Sequence, residues 1–320
     1  MNSSYPLLFE PNLHTVVWGG DRLCRWKGLP EQDNIGESWE VSAVESSPSV
    51  VANGCWAGKT LPEVVASAPE EILGKAVAKR NGGKMPLLVK FIDARKDLSI
   101  QVHPNDEMAL REHNKLGKSE MWYVLDAEPG ACIYAGFKKK LQADEYKRMV
   151  EDGTITEALA RHEAHAGDVF YIPSGTIHAL GPGIQCYEIQ ESSDVTYRFW
   201  DWGRTGKDGR PRELHTEKAL AVSNTGPVPG QVSPAGRPVP GGLSTLLADD
   251  PHFQLYAADL DGTFSTDAGR MQFLTPTVPC TVSWDTSELA LAPYRSMLIP
   301  ADMGPVRLSG RGRVLISRIP

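Results

Sequence analysis

No apolar run in the 320 residues approaches the roughly 20 that a membrane helix needs, so a helical membrane span is not expected. The start, Met1-Asn2-Ser3-Ser4-Tyr5-Pro6, lacks a basic segment followed by an apolar one, and no signal peptide is expected. Cysteine is sparse and unpaired in pattern. Cys24, Cys55, Cys132, Cys186 and Cys280 are odd in number, widely spaced and form no C-x-x-C pair. They read as reduced, buried thiols of a cytoplasmic protein, not as a disulfide frame. A basic excess is missing too. The net charge of −7 argues against a nucleic-acid surface. It leaves room for an anionic small substrate, because a few Lys and Arg can hold a phosphate in a local cleft. No internal repeat is visible.

What is present is the composition of a globular protein, 41% hydrophobic and 23% charged, in a chain long enough for two domains or one large one. Short strands with Gly and Pro punctuation dominate: Glu37–Ser42, Pro86–Asp93, Leu98–Val102, 120–126, Val169–Ile172, Gln185–Gln190 and Thr196–Trp202. Residues 60–82 read as a helix, opened by a Thr60/Glu63 capping box and stopped at Asn81-Gly82-Gly83. Residues 105–116 suggest a short helix. Asp144–Asp152 and Thr154–Glu163 read as two more, the second with a Thr154/Glu157 capping box. The pattern predicts a mainly β fold, a jelly roll with a metal in its mouth. Residues 224–242, rich in Gly, Pro and Ser, read as a linker. Residues 243–320 look β again, with one histidine, His252, and no Cys/His/Glu cluster.

Three segments carry chemistry: Ser99-Ile100-Gln101-Val102-His103-Pro104, Gly117-Lys118-Ser119-Glu120-Met121-Trp122-Tyr123 and Tyr171-Ile172-Pro173-Ser174-Gly175-Thr176-Ile177-His178. In a strand, residues i and i+2 share a face, so Gln101 and His103 look the same way. Pro104 ends ladder pairing just after His103, and Pro173-Ser174-Gly175 turns the chain just before His178. Both histidines therefore sit where a strand stops. Two imidazoles, the Glu120 carboxylate and the Gln101 amide oxygen make a donor set for Zn²⁺ or another divalent metal, with a position open to substrate. His113, His162, His165 and Lys138-Lys139-Lys140 read as surface.

These segments, with Trp18-Gly19-Gly20, Gly36-Glu37-Ser38-Trp39-Glu40, His178-Ala179-Leu180 and Ser193-Asp194-Val195-Thr196-Tyr197-Arg198, closely resemble type I mannose-6-phosphate isomerases in order and gaps. The resemblance spans about residues 5–220 and is to the short bacterial form of this cupin-superfamily family. It implies a catalytic cupin domain over 1–223 with a small helical insertion near 141–165, the linker 224–242, and a smaller, metal-free cupin-like domain over 243–320. It also implies a zinc-dependent aldose–ketose isomerase, with one Zn²⁺ per chain and a sugar phosphate as its small-molecule partner. Gln101, His103, Glu120 and His178 match the zinc ligands. Arg198, Lys118 and Glu188 match catalytic positions, Lys90 and Ser99 match substrate-binding positions near the phosphate, and Trp18 matches a position that lines the pocket. Where longer members carry Tyr, this chain has Leu180 and lacks that hydroxyl.

Alternatives stand beside several of these assignments. Glu188 is either the base for C2 or a carboxylate that orients a ligand histidine. Arg198 either clamps an anion or forms a structural ion pair with Asp194 or Asp201. Another metal cupin, either a different sugar-phosphate isomerase or an oxygenase, and a non-catalytic sugar-phosphate binder are the rival functions.

Overall fold

The computed structural model describes residues 4–206, 209–228, 231–232 and 234–320. The fold is built on two strands, Leu87–Ala94 and Ile184–Glu191, buried at every position. They pair antiparallel along their whole length, from Ile184 opposite Ala94 to Glu191 opposite Leu87. A strand covered on both faces loses the apolar–polar alternation of a half-exposed one. The two faces here differ in another way. Val89, Phe91, Tyr187 and Ile189 are apolar and face outward into the largest core cluster. Leu88, Lys90, Glu188 and Gln190 lie between them in the ladder and take the opposite face.

These strands are central in a seven-stranded antiparallel sheet. Its order is Gln231–Val232, Val169–Ile172, Glu120–Ala127, Ile184–Glu191, Leu87–Ala94, Leu13–Gly20, Ile35–Val41. A five-stranded sheet faces it: Tyr197–Trp200, Ile100–Val102, His178–Leu180, Cys132–Phe137, Leu159–Glu163. Trp18, Trp122, Ile133, Phe170 and Leu180 fill the space between, as in a jelly roll. The outer face of the five-stranded sheet, Ile100, Val102, Ala179 and Phe199, is covered by helices Ala143–Glu151, Ile155–Ala158 and Thr216–Val222.

A nine-stranded sheet forms the third layer. One strand of it, Leu7–Leu8, comes from the start of the chain and pairs with Met297–Ile299. Leu255, Phe273, Leu298 and Leu315 join Phe91, Met121 and Tyr187 in one cluster, so this sheet packs against the outward face of the seven-stranded one. On its far side Leu274, Val282, Met297 and Val314 close a second core. Strand Arg307–Arg318 passes from pairing with Gln272–Pro276 to pairing with Cys280–Trp284. Gly310 and Gly312 lie at that corner with φ of +154° and +122°, a backbone that disfavours any side chain.

Several local expectations change. The helix predicted over 60–82 is three short ones, Leu61–Ser67, Pro69–Leu73 and Lys75–Arg80. The Thr60/Glu63 capping box forms, but Pro69 has no N–H to continue the ladder and Gly74 turns away at φ +86°. Asn105 caps the helix Asp106–His113. Thr154 caps nothing. The helix after it ends at Ala158, and Leu159–Glu163 is a strand with alternating burial. Part of the expected linker also forms strands, Gln231–Val232 and Arg237–Val239, while its residues 229, 230 and 233 lie outside the described residues, as do 1–3 of the chain start. All five cysteines are free, but Cys55 is exposed, not buried. No helix among the described residues is long and apolar enough to cross a membrane.

Phe273 is fully buried between the two packed sheets. Phe273→Ala should cost about 3–5 kcal/mol in urea unfolding through the cavity it leaves. Leu110→Ala, at a site 63% exposed, should stay within about 0.5 kcal/mol. Equal effects from the two would show that the layers are not packed as described.

Candidate metal centre

Register across the five-stranded sheet sets half of the site. Gln101 lies opposite His178 on one side and Arg198 on the other. Directly opposed residues share a face, so all three point at the seven-stranded sheet. Ile100 and Val102, the neighbours of Gln101, point the other way into the helix-covered core. Glu120 starts its strand in the facing sheet, opposite Gln190 and Ile172. The donors thus approach from two walls of one sandwich.

His103, Glu120 and His178 are nearly sealed from solvent, at 1%, 1% and 0% exposure. His178 Nε2 lies 3.1 Å from Glu120 Oε1, and His103 Nε2 lies 3.5 Å from Glu120 Oε2. The donor atoms of all three fall within 4.8 Å of one another. Each imidazole is fixed at its other nitrogen. His103 Nδ1–H donates to Val195 O at 2.9 Å, and His178 Nδ1–H donates to Thr176 O at 2.8 Å. Both Nε2 atoms are thereby left with a lone pair aimed inward, the tautomer a metal ligand needs. Both Glu120 oxygens are buried without a hydrogen-bond donor. Lys118 lies 3.3 Å from Oε2, but Oε1 faces only the His178 lone pair at 3.1 Å, a contact that a cation between them would relieve. The donor set therefore fits a divalent metal. The Gln101 amide lies 3.3 Å from His178 Nε2 and accepts from Ser99 Oγ at 3.4 Å; half a turn of the amide presents its oxygen inward.

Lys118 Nζ sits 3.3 Å from both Glu120 Oε2 and His103 Nε2. Burial, and next the Lys118 charge, keep His103 well below its ordinary pKa and hence neutral. Burial works to raise the Glu120 carboxyl, but Lys118 and the two histidines together hold it well below its usual range.

A second polar row runs beside the centre. Trp39, Lys90, Glu188 and Trp122 are in register across four strands. Lys90 Nζ lies 3.2 Å from Glu188 Oε2 and 3.9 Å from Glu37 Oε1. Trp122 Nε1–H donates to Glu188 Oε1 at 3.2 Å, and the same ring meets His178 edge-on at 5.3 Å. Burial raises the Glu188 pKa against the pull of Lys90. Burial opposes the Lys90 charge, yet Glu188 and Glu37 raise its pKa further.

The remaining nominated residues spread out from here. Ser99 touches Gln101. Trp18 is packed in the apolar interior between the sheets. Arg198 donates from Nη1 to Glu213 O at 3.0 Å and keeps a buried Nε without a partner. Asp201 is held by Arg204 and Arg212, and Asp194 by Lys115. Among the described residues Arg198 therefore has neither of the carboxylate partners considered from sequence. His113 is not free in solvent, since its Nε2 meets Tyr197 Oη at 2.8 Å, and His162 Nε2 is buried.

The sequence reading missed Glu37, the catalytic-side environment of Trp122, and Gln190 beside Glu120. The alternation of Glu37 with Trp39 was a usable signal, because it places both on the Lys90 face. It also missed that His252 meets Asp106 and Glu191, a second group of possible metal donors within 4.8 Å of one another. Those acidic partners lie outside 243–320, so spacing within that part could not reveal them.

Lys90→Met leaves Glu37 and Glu188 buried without their cation and should cost about 3–5 kcal/mol in urea unfolding. Adding Glu188→Gln should return part of that loss. A loss under about 1 kcal/mol, typical of an exposed pair, would rule out the buried arrangement.

Comparison with known proteins follows the same lines. The family model for "Phosphomannose isomerase type I, catalytic domain" matches residues 8–165. The mannose-6-phosphate isomerase ManA of Bacillus subtilis is 33% identical over 98% of this chain and 99% of its own. The mannose-6-phosphate isomerase of Streptococcus mutans is 38% identical over 81% of this chain and 80% of its own. The crystal structure of the mannose 6-phosphate isomerase from Bacillus subtilis superposes with a TM-score of 0.91 at 30% identity, covering 98% of this chain and 99% of that one.

Proposed function

This chain belongs to the type I phosphomannose isomerase family, and on that premise we propose that it interconverts mannose 6-phosphate and fructose 6-phosphate through a cis-enediolate, with one Zn²⁺ per chain. The relatives that match nearly the whole chain are named mannose-6-phosphate isomerases, and the fold shared with them is a cupin. The oxygenase and the non-catalytic readings give way, because relatives matching nearly the whole chain are named isomerases. The observation that carries the zinc reading is the pair of imidazoles, each tied down at Nδ1, converging with Nε2 on the donor-free oxygens of Glu120.

His103, Glu120 and His178, with Gln101 as the fourth donor, would hold Zn²⁺, which supplies Lewis-acid stabilisation to the sugar oxygens. The chain's own groups do the rest. Glu188 takes the proton from C2 and returns it to C1. Its burial raises its pKa, which brings a carboxylate closer to the range where it can both accept and release a proton near neutrality. Trp122 and Lys90 hold its two oxygens in place. Lys118, beside Glu120 and His103, offsets negative charge that develops on the enediolate oxygens. Arg198 has charged neighbours in Arg204, Arg212 and Asp201, a set with more guanidinium than carboxylate that suits an anionic group of the substrate. Ser99 orients Gln101, and Trp18 helps keep the interior dry.

A coupled assay for fructose 6-phosphate, before and after chelation and after return of Zn²⁺, tests this directly. Activity should vanish on chelation and recover with zinc. An inactive zinc-loaded protein would leave the metal centre standing and the substrate wrong. Glu188→Gln should lower kcat by at least about 100-fold with KM little changed. Arg198→Ala should lose activity while retaining zinc; near-normal turnover in it would remove Arg198 from the machinery.

A further inference from the structure

The short segment Gly117–Glu120 delivers both Lys118 and Glu120, and its backbone is gripped residue by residue. Gly117 N–H donates to Asp106 Oδ1 at 2.8 Å. Lys118 N–H donates to Pro104 O at 3.1 Å. Ser119 N–H donates to Glu191 Oε2 at 2.8 Å, and Glu191 N–H returns a bond to Ser119 O at 3.2 Å. Ser119 Oγ also accepts from the N–H of Ser174, in the turn that leads to His178. Two of these anchors are carboxylates, Asp106 and Glu191, that approach from different elements; burial pushes Glu191 up to about 7.

His252 joins the two. Its Nε2 lies 3.3 Å from Asp106 Oδ2 and 3.5 Å from Glu191 Oε1, on the carboxylate oxygens that do not hold the segment. Its Nδ1 is held at 2.9 Å by Asp250, which also accepts from the His252 N–H and from the Tyr171 hydroxyl. Asp106 and Asp250 raise the His252 pKa to about 10, so it is a cation at neutral pH. The imidazole is thus fixed on one side by Asp250, within residues 243–320, and on the other meets two carboxylates from the part of the chain before 243.

We propose that His252 is a positioning residue for the active site: it reaches across from the C-terminal residues 243–320, bridges Asp106 and Glu191, and through them sets the backbone that aims Lys118 and Glu120. The proposal rests on the reading that Lys118 and Glu120 serve the zinc site. It assigns residues 243–320 a part in the reaction although none of them belongs to the metal set. A clasp that acts through backbone amides does not create the site. It fixes the site's geometry, and outer contacts of this kind typically change metal retention and turnover more than substrate affinity.

The test compares the full-length protein with His252→Gln, Glu191→Gln and the double variant. Zinc release to a chromogenic chelator is timed, and kcat and KM for mannose 6-phosphate are divided by bound zinc. In His252→Gln, zinc release should speed up and kcat per zinc should fall, each about tenfold, with KM within about twofold. Glu191→Gln should do the same, and the double variant should be no worse than the poorer single one, because both act through one linkage. A role in stability alone would shift the melting temperature and leave kcat per bound zinc unchanged, which would overturn the proposal. So would additive losses in the double variant, or an unchanged zinc-release rate. Asp106→Asn, on a half-exposed side chain, replaces His252→Gln if that variant does not fold. If the wild type fails to isomerise mannose 6-phosphate, the functional reading falls and the zinc-release rates alone decide the clasp.

Discussion

Charge balance in a dry space is the constraint on which the rest depends. Lys90 and Lys118 face Glu37, Glu120 and Glu188 between the two sheets, and each is at most lightly exposed. Charges removed from water are tolerable only when paired, and removing one partner strands the others. The set holds more carboxyls than ammoniums. The raised pKa of Glu188 is one outlet for the imbalance, since protonation removes a negative charge. A divalent cation at Glu120 is another. The two outlets oppose each other, because a cation nearby favours the ionised carboxylate. The same imbalance therefore links the two: a cation at Glu120 would pull the raised Glu188 pKa back down.

This balance explains why the polar row lies on the central strands and not on a loop. Leu87–Ala94 and Ile184–Glu191 have ladder partners on both sides and a packed layer against their apolar face. A charge pair there has little freedom to drift into water. Loops would give the same residues more room and a higher dielectric, and the Glu188 shift would shrink. The outward face of these strands, Phe91, Tyr187 and Ile189, does no chemistry, yet the third sheet packed on it makes the inner face rigid. A site of this kind needs its groups held to a fraction of an ångström, and strands serve that better than turns.

How much of this the sequence disclosed follows from the range of each interaction. Gln101 and His103 were legible because period two is local, and the turns before His178 and after His103 announce themselves in Pro and Gly. Segments that pair over long distances were legible only as strands. That Lys90 would stand between Glu37 and Glu188 depends on register across three strands, which no local pattern encodes. The Thr154 misreading has the same root. Thr-x-x-Glu matches a capping box, but Leu159–Glu163 alternates and has Cys132–Phe137 to pair with, so tertiary pairing overrode the local signal. Arg198 shows the limit from the other side. Asp194 and Asp201 are near in sequence, but Lys115, Arg204 and Arg212 claim them, and Arg198 is left facing the interior side of its sheet.

The third layer changes meaning in the same light. By sequence, 243–320 is a β segment without ligands, and its distance from the metal motifs suggests independence. In the fold it meets the layers that carry the candidate metal centre twice. Its sheet covers the apolar face of the central strands, and His252 meets the carboxylates that hold the Lys118 segment. The first contact is broad and non-directional, so many apolar sequences could supply it. The second is narrow: a cation with one nitrogen fixed by Asp250 and the other placed between two acids. Broad packing can keep the layers together, but only a directional contact can tell one position of the Lys118 segment from another a few tenths of an ångström away.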